Sequence, residues 1–106
     1  MIASAPPPPP PPARVQVLAQ EFRYTLSRQT IKSGWAIIEL RNGGEDAHDL
    51  RMRRVGGTRV YVWPNVQAGD VRDEMFKLLP GTYALWCGVA NHRALGMRST
   101  LVVVRR

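Results

Sequence analysis

The sequence predicts an all-β domain, a two-sheet β-sandwich of about eight strands, on three observations. Short runs in which apolar and polar residues alternate follow one another after residue 13. Turn residues punctuate them, and no stretch of about ten residues carries a helical period. The first two strands, 14–19 and 21–26, rest on alternation alone. The third, 35–41, lies between Ser33-Gly34 and Asn42-Gly43-Gly44 and sets Ala36, Ile38 and Leu40 on one face. The fourth, 48–54, stops before Gly56-Gly57. Its parity gives His48, Leu50 and Met52 to one face and Asp49, Arg51 and Arg53 to the other. Strands 58–62 and 70–76 are parted by the turn at Gly69. Strand 82–87 follows Pro80-Gly81 and points Tyr83, Leu85 and Cys87 inward. The last, 98–104, points Leu101 and Val103 inward, with Met97 in register just before them.

Ahead of these strands, residues 1–13 read MIASAPPPPPPPA. Successive prolines fix φ and donate no backbone hydrogen bond, so this stretch is expected to be a polyproline II leader or tether. It has no basic n-region and no apolar h-region, so it does not read as a signal peptide. Residues 14–106 then form one folded domain, about 93 residues being too few for two. Hydrophobic residues make up 44% of the chain, which places it among globular domains despite a formal net charge of +7. No apolar run approaches the roughly 20 residues that a membrane-spanning helix needs. A single cysteine excludes an internal disulfide framework and any site built on two thiolates, such as zinc ribbons, iron–sulfur clusters and binuclear copper-thiolate centres.

A His, the only Cys and a Met all fall on core-facing parity at strand ends. Cys87-Gly-Val-Ala-Asn-His92-Arg-Ala-Leu-Gly-Met97 adds a second His, placing three soft or borderline donors in one loop at C-x4-H-x4-M spacing, with His48 as a distant fourth. Thiolate, two imidazoles and a weak thioether suit copper that cycles between Cu(I) and Cu(II), because the mix meets neither oxidation state's preferred geometry fully. Taken singly, each residue has an ordinary role: a lone Cys is most often a small buried hydrophobe, a Met in an apolar setting fills core, and a His beside a turn is a satisfied polar group. Their joint spacing, together with an inward-facing distant His, favours a shared site. No Ser/His/Asp or Cys/His nucleophile and no carboxylate pair stands out, so no enzyme is expected.

The run Pro80-Gly-Thr-Tyr-Ala-Leu-Trp-Cys87, continuing through His92 to Gly96-Met97-Arg-Ser-Thr-Leu-Val, resembles the C-terminal signature of cupredoxins, the type 1 blue copper proteins. Leu40-Arg-Asn-Gly-Gly-Glu-Asp-Ala-His48-Asp-Leu50 is similar to the family's strand, turn and first ligand histidine, and the C-x4-H-x4-M spacing resembles rusticyanin-like members. The resemblance implies a cupredoxin-like Greek-key two-sheet β-sandwich with one copper per chain, held by His48, Cys87, His92 and Met97, that carries single electrons between redox partners. It also implies an extracytoplasmic location, periplasmic, cell-surface or secreted. Asp49 stands where the family often has an Asn that ties the ligand loops, and Asn91 stands where Gly is common. Tyr83 matches a tyrosine corner. Met52 and Met75 are expected in the core, His92 is expected in an exposed loop as the electron exit, and Val89, Ala90, Ala94, Leu95 and Pro64 form a candidate dry collar. Trp86 reads as packing more than as a relay.

Two further readings use the same residues: a copper delivery or buffering module, and a metal-free cupredoxin-like interaction domain. Thirteen Arg and two Lys are scattered over nearly every strand, densest at Arg51, Arg53 and Arg54. That charge suits an acidic redox partner or an anionic membrane or wall surface. Without aromatic interleaving or a recognition motif, nucleic acid is not expected as a partner, and the chain is expected to be a monomer.

Overall fold

Alternation makes every strand a two-faced ribbon, and the ribbons must bury their apolar faces against one another. The computed structural model, which describes residues 4–106, does this with two sheets. The strands are β1 (Ala13–Gln20), β2 (Arg23–Leu26), β3 (Thr30–Lys32), β4 (Gly34–Asn42), β5 (His48–Arg54), β6 (Val60–Val66), β7 (Val71–Leu78), β8 (Gly81–Trp86) and β9 (Arg98–Val104). One sheet has the order β2-β1-β4-β7 and the other β3-β9-β8-β5-β6. The chain passes from sheet to sheet after β2, β3, β4, β6 and β7, so sequence neighbours end up facing each other across the core. Pairing is antiparallel except for β1 with β4 and β3 with β9. Among the described residues, no helix is long and apolar enough to cross a membrane.

The inward faces are those that parity indicates. Ala36, Ile38, Leu40, Leu50, Met52 and Leu101 are fully buried, and Tyr83, Leu85, Cys87 and Val103 nearly so. The ninth strand, β3, was not foreseen: three residues with one inward side chain, Ile31, are too short for alternation to register. Strand β6 starts later and runs further than 58–62, because Trp63 and Val66 continue the buried face. Pro64 is tolerated there since β6 lies at a sheet edge. Met75 corrects the expectation that it fills core. It is 52% exposed, because β7 pairs it with the outward-facing Ile37 of β4.

Polar groups fix the connections. Tyr83 donates its hydroxyl to the Leu79 carbonyl at 2.7 Å, the tyrosine corner expected of it. The Trp63 indole donates to the Ile38 carbonyl at 3.0 Å, joining the two sheets. Asn42, at the end of β4, donates to the carbonyls of Asp46 (2.7 Å) and Val66 (2.8 Å) and accepts from the Gly44 N–H (2.9 Å). That buried amide braces the loop that delivers His48.

Strand β4 is nine residues long, which at about 3.3 Å per residue separates the two poles of the sandwich by roughly 26 Å. At one pole lie Asn42, His48, Cys87 and Met97. At the other, Ala13 pairs with Ala36, and residues 4–12 leave the sheets without forming a strand. Pro9 to Pro11 lie beside Trp35 and Leu79, and the Arg106 guanidinium reaches the Pro11 carbonyl at 3.4 Å. Residues 1–3 of the expected leader lie outside the described residues.

Candidate metal centre

Two backbone devices bring the candidate ligands together. Strand β5 opens on His48, held by the Asn42 brace. The β8–β9 ladder continues one step past β8, where the Cys87 N–H donates to the Met97 carbonyl at 3.1 Å. The intervening loop closes as consecutive turns. His92 N–H donates to the Val89 carbonyl at 3.0 Å, and the His92 carbonyl accepts from Leu95 and Met97, both at 3.1 Å. Gly96, at φ +115°, occupies backbone space that a side chain would strain, and this lets the loop return into β9.

His48, Cys87 and His92 are all buried, and one donor atom from each lies within 4.8 Å of the others. Cys87 Sγ is 3.7 Å from His92 Nδ1, and the two imidazole centroids are 5.0 Å apart. Met97 is fully buried beside them. Neither ring nitrogen of His48 makes a well-formed hydrogen bond, although both are buried; Nε2 has the Glu21 carboxylate 3.4 Å away, whereas Nδ1 has no partner. Such orphaned groups are rare in native interiors and are explained when an ion occupies the space they face. Two imidazoles and a sulfur are borderline to soft donors, the set that suits copper or zinc. Burial lowers the His48 pKa, against an opposing pull from Glu21, and so keeps the ring neutral as a ligand must be. Burial also raises the Cys87 thiol, while the facing backbone groups of Val89 and Asp49 work the other way. A metal would therefore displace a proton from the sulfur.

Three neighbours were not legible in the sequence. Glu21 Oε1 lies 3.4 Å from His48 Nε2, and Asp46 Oδ2 lies 3.6 Å from His92 Nε2, so each imidazole has a carboxylate at its back. The Glu21 carboxylate also accepts the Glu45 and Asp46 N–H groups, both at 2.6 Å, and these lower its pKa. The Phe22 ring packs on His92 with centroids 4.8 Å apart. Glu21 and Phe22 were expected inside a strand, but β2 begins only at Arg23, and the turn before it folds over the site. Their partners lie more than twenty residues away, so no local pattern could announce them.

The same cover corrects the place of His92. It is 6% exposed and does not present a bare edge, because Phe22 and Asp46 shield it. Of the expected collar, Val89 packs against the core, while Ala90, Ala94, Leu95 and Pro64 are exposed. Asp49 has outward parity yet is 4% exposed. Its Oδ1 accepts the Gly88 N–H at 2.6 Å, its Oδ2 meets Arg51 Nε at 3.3 Å, and its carbonyl accepts the Tyr24 hydroxyl. Aspartate thus ties the two ligand loops as an acceptor, with Arg51 balancing its charge.

No protein-family model matches the chain, and no curated protein matches it by sequence. Solved structures do match in three dimensions. Reduced auracyanin from Roseiflexus castenholzii aligns at TM-score 0.71 and 15% identity over 87% of this chain and 97% of its own. Auracyanin A from Chloroflexus aurantiacus, described as a blue copper protein, aligns at 0.71 and 16% identity over 89% of this chain and 100% of its own. Reduced rusticyanin aligns at 0.67 and 16% identity over 86% of this chain and 79% of its own.

Proposed function

Starting from a chain that has a cupredoxin fold, we propose that it is a type 1 copper protein, with one copper held by His48, Cys87, His92 and Met97, that carries single electrons between redox partners. The observation that carries this reading is the buried convergence of His48, Cys87 and His92 at one pole, with the His48 Nδ1 left without a hydrogen-bond partner. Copper there supplies a one-electron couple. The chain supplies the rest: the Asn42 brace and the Cys87–Met97 backbone bond hold the donors from two directions, so little need rearrange when charge changes. Phe22 packs over the His92 ring and Val89 against the core, so the donors sit under apolar cover. Four side-chain donors leave no open position for a substrate, which favours a carrier over an enzyme. The same burial disfavours a delivery module, whose metal must exchange readily. The reading extends to an extracytoplasmic location, as the family resemblance implies.

The test is colour. Cu(II) added to the purified protein is expected to produce an intense visible thiolate-to-copper band that Cys87→Ser abolishes. A wild-type protein that is folded yet colourless with Cu(II) overturns the proposal.

A further inference from the structure

The outer face of the five-stranded sheet carries charge of one sign. The registers align Arg51 with Trp86 and Arg98 across β5, β8 and β9, and Arg53 with Ala84 and Thr100 in the next row. Arg93, from the ligand loop, lays its guanidinium 4.9 Å from the centroid of the Trp86 ring. A shallow depression of about 370 Å³ opens between Ala84, Trp86, Arg93, Arg98 and Thr100. The only carboxylate of the same parity on these strands, Asp49, is buried and held by the Gly88 N–H and by Arg51, itself 44% exposed, which leaves the guanidiniums of Arg53, Arg93 and Arg98 without an acidic partner among the described residues. Val60 and Val62 of β6, opposite Arg53 and Arg51 and roughly 40% exposed, edge the patch with apolar surface. The other sheet is also net basic but mixed in sign: its outer face sets Arg14, Arg23, Arg41 and Lys77 among Glu39 on a central strand and Asp73 on an edge strand.

We propose that this face is the docking surface for an acidic protein, the carboxylate-rich surface of a redox partner, with Trp86 at its centre and Arg51, Arg53, Arg93 and Arg98 around it. The inference rests on the electron-carrier reading, because that reading gives a partner reason to sit here. Trp86 precedes Cys87 in the chain and Arg93 follows His92, so an occupant of the patch lies one residue from two candidate ligands. Guanidiniums match carboxylates as planar forks, and an Arg-flanked aromatic is the composition of an interface hot spot. A flat sheet face offers no element that enters a nucleic-acid groove.

The experiment is an amide-shift titration of isotope-labelled protein with octaglutamate, compared with short duplex DNA and with phosphatidylcholine–phosphatidylglycerol vesicles. Octaglutamate is expected to shift amides along β5, β8, β9 and the ligand loop, more strongly at low salt. R93E/R98E, both exposed positions, should weaken binding by about tenfold or more, while R14E/R28E, an equal charge change near the other sheet, should alter it less than about twofold. R93Q/R98Q should fall between. Shifts spread evenly over both sheets, equal loss from the control pair, or tighter binding of DNA or vesicles at this face would overturn the docking proposal. The Cu(II) colour of the same samples separates the two readings. A colourless protein that still binds octaglutamate here refutes the electron carrier and retains the surface; a coloured protein with scattered shifts does the reverse.

Discussion

Tyr83 shows what one side chain contributes. Its phenol is 1% exposed, donates to the Leu79 carbonyl, and has its pKa raised above the ordinary 10.0, chiefly by burial. Tyr83→Phe is expected to cost about 1 kcal/mol in urea unfolding at neutral pH, the worth of one such hydrogen bond. Because the folded phenol holds its proton to a higher pH than the unfolded one, its contribution is complete below the unfolded pKa and is lost as pH rises through the folded value. Stability of the Phe variant should therefore decline less steeply with alkali, and equal slopes would contradict the assignment. At this scale the sequence was informative about inward-facing groups. His48 and Cys87 are visible through strand parity, and His92 and Met97 through their spacing from the cysteine. Glu21, Asp46 and Phe22 were invisible, since each reaches the site across a fold-dependent distance.

Between elements, the joint that matters is Asp49, which links the start of β5 to the loop after β8. Asp49→Ala leaves the Gly88 N–H without its acceptor and Arg51 without its partner, and is expected to destabilise the fold by about 1–3 kcal/mol in denaturant unfolding. Asp49→Asn keeps an acceptor oxygen and should lose less. A Cβ at Gly88 would meet the Arg51 guanidinium, which would have to swing away from Asp49 to admit it. Strands with several alternating residues were legible in order and approximate extent. Short β3 was not, and the error at Met75 has a related cause: β7 is an edge strand whose inner row includes Arg72 and Glu74, so hydrophobicity alone does not reveal its buried side.

For the molecule as a whole, binding and folding are linked through the cluster around the unpartnered Nδ1 of His48. An ion that binds only the native state, free at about 100-fold above its Kd, adds about 2.7 kcal/mol to stability. Adding Cu(II) or Zn(II) is expected to raise the thermal midpoint, a chelator to reverse the rise, and His48→Ala to abolish most of it; an unmoved wild-type midpoint would show that the cluster binds neither metal. The charge of +7 is plain from composition, but the cluster around Trp86 emerged only once the registers placed Arg51, Trp86 and Arg98 in a single row. The departure of residues 4–12 beside Ala13 adds a matter of reach. Whatever grips the prolines holds the molecule by its heel. With seven prolines at about 3.1 Å each added to the sandwich, an extended leader would place its first proline up to roughly 50 Å from the opposite tip.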